Sequence, residues 1–253
     1  MLVAASRSGT TTETLRAVTA VARRGVPTIC LTCAVRSPLA RSADLALCSP
    51  AGGERSVVMT KSFSSMLVLG LLLAAQRGGD AKFRRELRRL PALGRRVLKT
   101  ALPLMREIGT TASRFVFLGA GPAHGIAWEG MLKMTEMAQR TAMAYHPLEF
   151  RHGPMAVAGP GTVAVIFGTD AGATLEAELV RDLRKHGATV VVLCDDQRHE
   201  ADAEVSVSLG VGLSDAPRSV LYLPFAQALA YWRAVGARLD PDRPQHLTPV
   251  VRL

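Results

Sequence analysis

The amino-acid sequence predicts an α/β protein built from two doubly wound parallel-sheet sandwiches. Short apolar runs of strand length alternate with helical runs, which is the pattern of βαβ units. The order strand, helix, glycine, strand occurs twice, with Gly25 and Gly187 about 162 residues apart. The chain has 253 residues, of which 48% are hydrophobic, so it can bury a core in each of two domains.

The first copy of the repeat begins with an apolar strand over residues 2–5. A helix over residues 11–24 follows, and Gly25 then leads into a strand over residues 27–32. An apolar helix over residues 62–75 closes this copy. Two strands joined through a helix run in the same direction, so we expect a parallel sheet.

The second copy repeats this order with a strand over residues 163–167 and a helix over residues 174–185. Gly187 then leads into a strand over residues 189–193, and an apolar helix over residues 220–234 closes the copy. The matching order predicts that both copies fold as the same kind of sandwich.

The repeat also predicts the domain limits. We expect a first domain over residues 1–80, a linker or helical segment over 81–112 and a second domain over 113–253. The second copy opens with a strand at Phe115, whose counterpart would lie about 47 residues before Met1. We therefore expect the first domain to be truncated at its N-terminus and to lack one strand, one glycine turn and one helix.

A hydroxyl-rich turn follows the first strand and opens the first helix. It contains Ser6, Arg7, Ser8, Gly9 and Thr11. Backbone N–H groups and the helix dipole at such an N-terminus favour an anion, and an arginine could bind its oxygens. The alternative is an ordinary helix N-cap, for which Ser and Thr are also preferred. The turn thus predicts either a phosphate site or a cap.

A predicted helical run over residues 125–145 carries charged residues at helical spacing. Glu129, Lys133, Glu136 and Arg140 recur at intervals that place them on one face. A solvated face is the alternative interpretation. The loop that follows contains His152, and a carboxylate, an amine and an imidazole are the groups that proton transfer on a sugar requires.

Composition and charge exclude several classes of protein. The net charge is +10, but no zinc finger or RNA-binding signature occurs, so we expect no nucleic-acid partner. The longest apolar run, residues 66–75, is too short to span a bilayer, so we expect a cytoplasmic protein with no membrane partner. Cys30 and Cys33 form a lone CxxC at a strand, which predicts buried free thiols and no metal site.

Four ordered motifs together resemble a known family. They are SRSGTT at residues 6–11, MTKSF at 59–63, EGMLKMTE at 129–136 and EFRHGP at 149–154. In this order they are similar to the tandem sugar isomerase (SIS) family, whose domains are flavodoxin-like. The similarity extends to the isomerase half of glucosamine-6-phosphate synthase, to aminosugar-phosphate deaminases and to tagatose-6-phosphate isomerases.

The resemblance implies roles for individual residues. The implied catalytic residues are Glu136 as the base between C1 and C2, Lys133 beside it and His152 for ring opening. The implied substrate-binding residues are Ser6, Arg7, Ser8, Gly9, Thr11, Val57 and Glu129. It also implies a homodimer with a shared active site, because the histidine loop of relatives reaches the neighbouring subunit. No metal or other cofactor is expected, since an enediol route needs only acid and base groups.

The implied function is aldose–ketose isomerisation or deamination of a hexose or hexosamine 6-phosphate. A non-catalytic sugar-phosphate sensor and an inactive truncated paralogue are the alternatives. The sequence departs from the synthase pattern at Pro249, which stands where the synthase has a Schiff-base lysine. The absence of a glutaminase domain also means that glutamine-dependent amination is not implied for this chain.

Overall fold

A computed structural model describes residues 1–109, 112–195 and 203–248. The chain divides into two compact units, one formed by Met1–Leu87 with the tail from Asp242, the other by Arg88–Pro241. Each helix in the described residues is too short or too polar to span a bilayer. The same residues contain no cluster of His, Cys, Asp and Glu suited to holding a metal ion.

The first unit contains a three-stranded parallel sheet in the order β1-β2-β3. The strands are β1 (Leu2–Ala5), β2 (Thr28–Thr32) and β3 (Leu45–Cys48), and the helices are α1 (Thr12–Ala22), α2 (Pro38–Ser42) and α3 (Lys61–Gly78). Ala4, Val18, Cys30 and Leu39 form its core. Apolar residues of strand and helix therefore meet as the alternating pattern predicted.

The helix α4 (Ala81–Gly109) crosses the limit between the two units. Its apolar residues Leu87, Leu90, Val97 and Met105 are buried, while most of its arginines are exposed. This division is what an amphipathic helix with one core-facing stripe produces.

The second unit contains a five-stranded sheet in the order β5-β4-β6-β7-β8, and every pair is parallel. The strands are β4 (Arg114–Gly119), β5 (Ala142–Tyr145), β6 (Thr162–Phe167), β7 (Thr189–Cys194) and β8 (Val205–Ser208). The helices are α5 (Pro122–Ala138), α6 (Pro147–Arg151), α7 (Ala173–Lys185), α8 (Asp215–Ser219) and α9 (Leu223–Gly236). This strand order is the flavodoxin-like order, so the predicted fold class is confirmed.

The two sheets differ in the number of strands. By the repeat, β1, β2 and β3 correspond to β6, β7 and β8. The described part of the first unit contains no counterparts of β4 and β5.

One predicted element is wrong in its length. The helix expected over residues 125–145 ends at Ala138, where Gln139 takes a left-handed conformation (φ 51°) and its N–H donates to Met134 O. Ala142–Tyr145 is instead the strand β5, paired with β4 through Phe115 opposite Ala142. The charged spacing matched a helix, but hydrogen bonds to a neighbouring strand determine the state of the last four residues.

The cysteines are free, as predicted. Cys30, Cys33 and Cys194 are buried and Cys48 is half-buried. Burial raises the pKa of Cys30 and Cys33 above the ordinary thiol value, which makes both thiols less reactive at neutral pH.

Candidate active site

The turn between β1 and α1 is closed by its own hydroxyl groups. Ser6 Oγ lies 3.0 Å from Thr11 Oγ1 and accepts a hydrogen bond from Gly9 N at 3.2 Å. Ser8 Oγ lies 2.9 Å from Thr10 Oγ1 and accepts from Thr10 N at 3.2 Å. The structure thus joins Ser6 to Thr11 and Ser8 to Thr10 within the same turn.

Gly9 is needed for the shape of this turn. Its φ is +61°, and a Cβ at this position would lie 2.1 Å from Ser37 Oγ. Gly9 O accepts a hydrogen bond from Leu39 N at 3.0 Å, which holds the turn against the start of α2. A side chain here would meet both backbone strain and a steric clash.

The α1 N-terminus differs from those of α2 and α3. Ser37 caps α2 by accepting from Ala40 N at 3.2 Å, and Glu54 accepts from the backbone N–H groups of Lys61 and Ser62 in α3. The side chain of Thr11, the cap residue of α1, makes no capping hydrogen bond. The ordinary-cap interpretation therefore does not describe Thr11, whose hydroxyl is directed at Ser6.

Arg7 contacts a neighbouring loop in the same unit. Its NH1 donates to Ser56 O at 3.0 Å and to Val57 O at 3.1 Å, and it lies 3.9 Å from the Glu54 carboxylate. Val57 N donates to Asp242 O at 2.9 Å. Two residues assigned from the sequence, Arg7 and Val57, are thus joined directly. The arginine holds the loop backbone in this structure.

Glu54 is a residue that the sequence analysis missed. Its buried carboxylate accepts hydrogen bonds from Thr60 N (3.1 Å), Thr60 Oγ1 (2.9 Å) and Ser62 N (3.2 Å), and also from Ser62 Oγ. Burial raises its pKa, but hydrogen bonds from Ser62 and Thr60 outweigh that effect and hold the pKa below the usual value. One sequence signal could have identified Glu54. It is a carboxylate that lies a few residues before the MTKSF motif, where α3 begins.

The helix α5 lies unusually close to its sheet. A Cβ on Gly130 would lie 2.6 Å from the Phe117 ring, so only glycine permits this approach. Much of α5 is buried, including the polar residues Glu129 and Lys133.

Three charged residues meet along α5. Lys133 Nζ lies 3.6 Å from Glu129 Oε1 and also forms an ion pair with Glu136 Oε2. The Lys133 side chain is 1% exposed and that of Glu129 is 3% exposed, whereas that of Glu136 is 23% exposed. The solvated-face alternative is therefore wrong for Glu129 and Lys133, while Arg140 is exposed.

This arrangement has a chemical consequence. Burying an ammonium is costly unless carboxylates compensate for the lost water, and two carboxylates pair with Lys133 here. Of the two, Glu136 alone keeps a substantial contact with solvent. The cluster therefore presents one accessible carboxylate beside a buried ammonium, a combination that is chemically suited to proton transfer.

His152 follows α6 and is exposed. It lines a groove of about 660 Å³ in the second unit together with His124, Trp128 and Tyr145. Neither Lys133 nor Glu136 lines that groove. The structure thus brings Glu129, Lys133 and Glu136 together on α5, as the sequence predicted. It leaves His152 on a different surface. Pro249 lies outside the described residues.

A protein-family model matches two segments of the chain. The model of the SIS domain matches residues 1–76 and 110–209. The chain belongs to the SIS domain family. Both matched segments coincide with sheet-forming parts of the two units, and the motifs of the turn and of α5 lie within them.

Relatives of this SIS protein include enzymes of sugar phosphates. It is 33% identical to glutamine–fructose-6-phosphate aminotransferase (isomerizing) of Pyrobaculum aerophilum, with 99% of this chain and 43% of that protein covered. The chain thus spans less than half the length of that relative.

Solved structures show the same fold. Glucosamine-6-phosphate deaminase from Thermotoga maritima superposes with a TM-score of 0.82 at 31% identity, covering 99% of this chain and 75% of that one. The C-terminal domain of glucosamine-fructose-6-phosphate aminotransferase from Francisella tularensis gives a TM-score of 0.84 at 25% identity, with 96% and 73% covered.

Proposed function

We propose that this SIS protein is a sugar-phosphate isomerase or aminosugar-phosphate deaminase that moves a proton between C1 and C2 of a hexose or hexosamine 6-phosphate. Family membership and the sugar-phosphate relatives support the reaction class. The observation that carries the proposal is the α5 cluster, in which buried Lys133 backs the accessible carboxylate of Glu136.

In the proposed isomerisation, Glu136 removes a proton from the carbon next to the open-chain carbonyl. The electron pair of the broken C–H bond forms the C1–C2 double bond, and the carbonyl oxygen becomes an enediolate oxygen. Lys133 stabilises this negative charge. The proton of the neighbouring hydroxyl passes to the former carbonyl oxygen, so that the neighbouring carbon becomes the new carbonyl, and Glu136 returns its proton to the other carbon. With a 2-amino sugar, proton transfer instead yields an imine, whose hydrolysis by water releases ammonia.

The turn of the first unit supplies the proposed phosphate site. The hydroxyls of Ser6, Ser8 and Thr11 and the α1 N-terminus offer donors to a dianion without adding bulk. In the same proposal Val57 contacts the sugar and His152 assists ring opening from the partner subunit of a cytoplasmic homodimer. We propose no cofactor, since proton transfer and, for a 2-amino sugar, hydrolysis by water complete the reaction.

The experiment is deuterium wash-in from heavy water, followed by NMR on fructose 6-phosphate and glucosamine 6-phosphate, with ammonia release measured for the latter. We expect exchange at C1 or C2, and Glu136→Gln should lower its rate by about 10² to 10⁴ because the amide cannot act as a base. Glu107→Gln, which changes an exposed carboxylate on α4, is the matched control.

Two results would contradict the proposal. Exchange that is undiminished in Glu136→Gln would place the base elsewhere. Binding of both sugar phosphates without any exchange in the unmodified protein would favour the sensor alternative, in which the turn binds a ligand that α5 does not transform.

A further inference from the structure

Glu54 lies at the start of the loop that leads into α3, and its carboxylate organises that loop. It accepts hydrogen bonds from Thr60 N at 3.1 Å, Lys61 N at 3.1 Å and Ser62 N at 3.2 Å. These donors are backbone groups at the helix N-terminus, where a negative charge is favoured. The carboxylate thus occupies the position that an anion would take at this helix.

Capping alone does not explain this arrangement. Thr60 is the cap residue of α3 and is of a type that caps well, yet it makes no capping hydrogen bond. Its hydroxyl instead donates to Glu54 Oε2 at 2.9 Å. A local cap is therefore replaced by a carboxylate brought from an earlier part of the loop, which costs side-chain entropy that a simple cap would not.

The same carboxylate contacts Arg7 in the phosphate turn. Glu54 Oε1 lies 3.9 Å from Arg7 NH1, and both side chains are largely buried, at 8% and 13% exposure. Arg7 NH1 in turn donates to Ser56 O and Val57 O. One chain of contacts therefore runs from the α3 N-terminus through Glu54 and Arg7 to the turn.

We propose that Glu54 is the positioning residue of the phosphate site. By fixing Arg7, it holds the turn and the backbone at Val57 in one arrangement before the ligand arrives, so that little ordering remains to be done on binding. This inference rests on the proposed function, because it assigns Glu54 to the site that binds the 6-phosphate.

The test is Glu54→Gln, with Asp44→Asn as the matched control. Asp44 also holds part of the backbone of the first unit. Its carboxylate accepts hydrogen bonds from Thr28 N at 2.8 Å and from Thr28 Oγ1 at 2.9 Å. Thr28 begins β2, at the opposite end of the strands from the turn. Calorimetry would measure the Kd of fructose 6-phosphate, inorganic phosphate and fructose for each protein.

We expect Glu54→Gln to raise the Kd of fructose 6-phosphate and of phosphate about tenfold, while Asp44→Asn leaves both within about twofold. The deuterium exchange rate at saturating fructose 6-phosphate should stay within about threefold of the unmodified rate, because Glu54 acts on binding. Combined with Arg7→Met, Glu54→Gln should add little further weakening, since both changes interrupt the same chain of contacts.

Three results would overturn the inference. They are unchanged phosphate affinity in Glu54→Gln, equal weakening in Asp44→Asn, and additive losses in the double variant. If Glu54→Gln does not fold, Glu54→Asp keeps the charge but draws the carboxylate back from Arg7, and it must raise the Kd of phosphate in the same direction. A failure of the proposed function looks different, because the unmodified protein would then show no deuterium exchange or would bind fructose and fructose 6-phosphate equally.

Discussion

Lys133 carries its charge where water cannot reach it. Its side chain is 1% exposed, and two carboxylates of the same helix compensate for the lost hydration. An ion pair buried in this way adds little net stability, but removing one member leaves the other charge buried and costly. Lys133 therefore couples the stability of α5 to the chemistry proposed for Glu136.

We predict that Lys133→Met lowers the free energy of unfolding by about 3 to 5 kcal/mol, because Glu129 stays buried without its ammonium. Urea denaturation measures this change. Adding Glu129→Gln should recover most of the stability, since the buried negative charge is then removed.

The double variant also separates structure from chemistry. Its deuterium exchange should remain low even though it is stable, because no cation is left to stabilise the enediolate. A stable Lys133→Met protein, or a double variant with full exchange, would show that Lys133 does not have the proposed role.

At the scale of elements, α5 connects sheet packing to the site. Gly130 allows the helix to approach Phe117 of β4, and the same helix buries Glu129 and Lys133. The following turn at Gln139 then ends the helix and lets β5 pair with the sheet. The helix that carries the charged cluster is therefore defined by a close packing contact and by a fixed C-terminal end.

We predict that Gly130→Ala lowers the free energy of unfolding by about 1 to 3 kcal/mol, because its methyl group must displace either the Phe117 ring or the helix. Gly125→Ala on the same helix is the control. Nothing lies within 4 Å of its Cβ position, so that change should raise stability by up to about 1 kcal/mol. Equal effects of the two substitutions in urea denaturation would contradict the packing argument.

At the scale of the whole molecule, the location of His152 supports a specific expectation. It lines a groove of the second unit that contains neither Lys133 nor Glu136. If it serves the site of a partner subunit, two inactive variants should complement each other.

We predict that mixing His152→Ala with Glu136→Gln after joint refolding restores about a quarter of the unmodified exchange rate. Half of the dimers are then mixed, and each mixed dimer has one intact site of two. Mass measurement confirms that dimers form. An inactive mixture of dimers would mean that His152 acts within its own chain or not at all.

Much of the fold could be predicted from the sequence. The strand over residues 2–5 coincides with β1, and the helix over 174–185 with α7 to within one residue, because apolar spacing encodes each element locally. The helix expected over 125–145 was too long because β5 depends on a partner strand remote in sequence. The motif residues of α5 were identified, whereas Glu54 was not, since its contacts join two separate loops.

The sequence by itself determined the α/β class, the repeat and the SIS family, because these depend on residue type and spacing along the chain. Only the tertiary structure decided that Lys133 is buried between two carboxylates and that Arg7 holds the Val57 backbone. Burial and pairing depend on which distant residues pack together, and a charged stripe looks the same in sequence whether water or a sheet covers it.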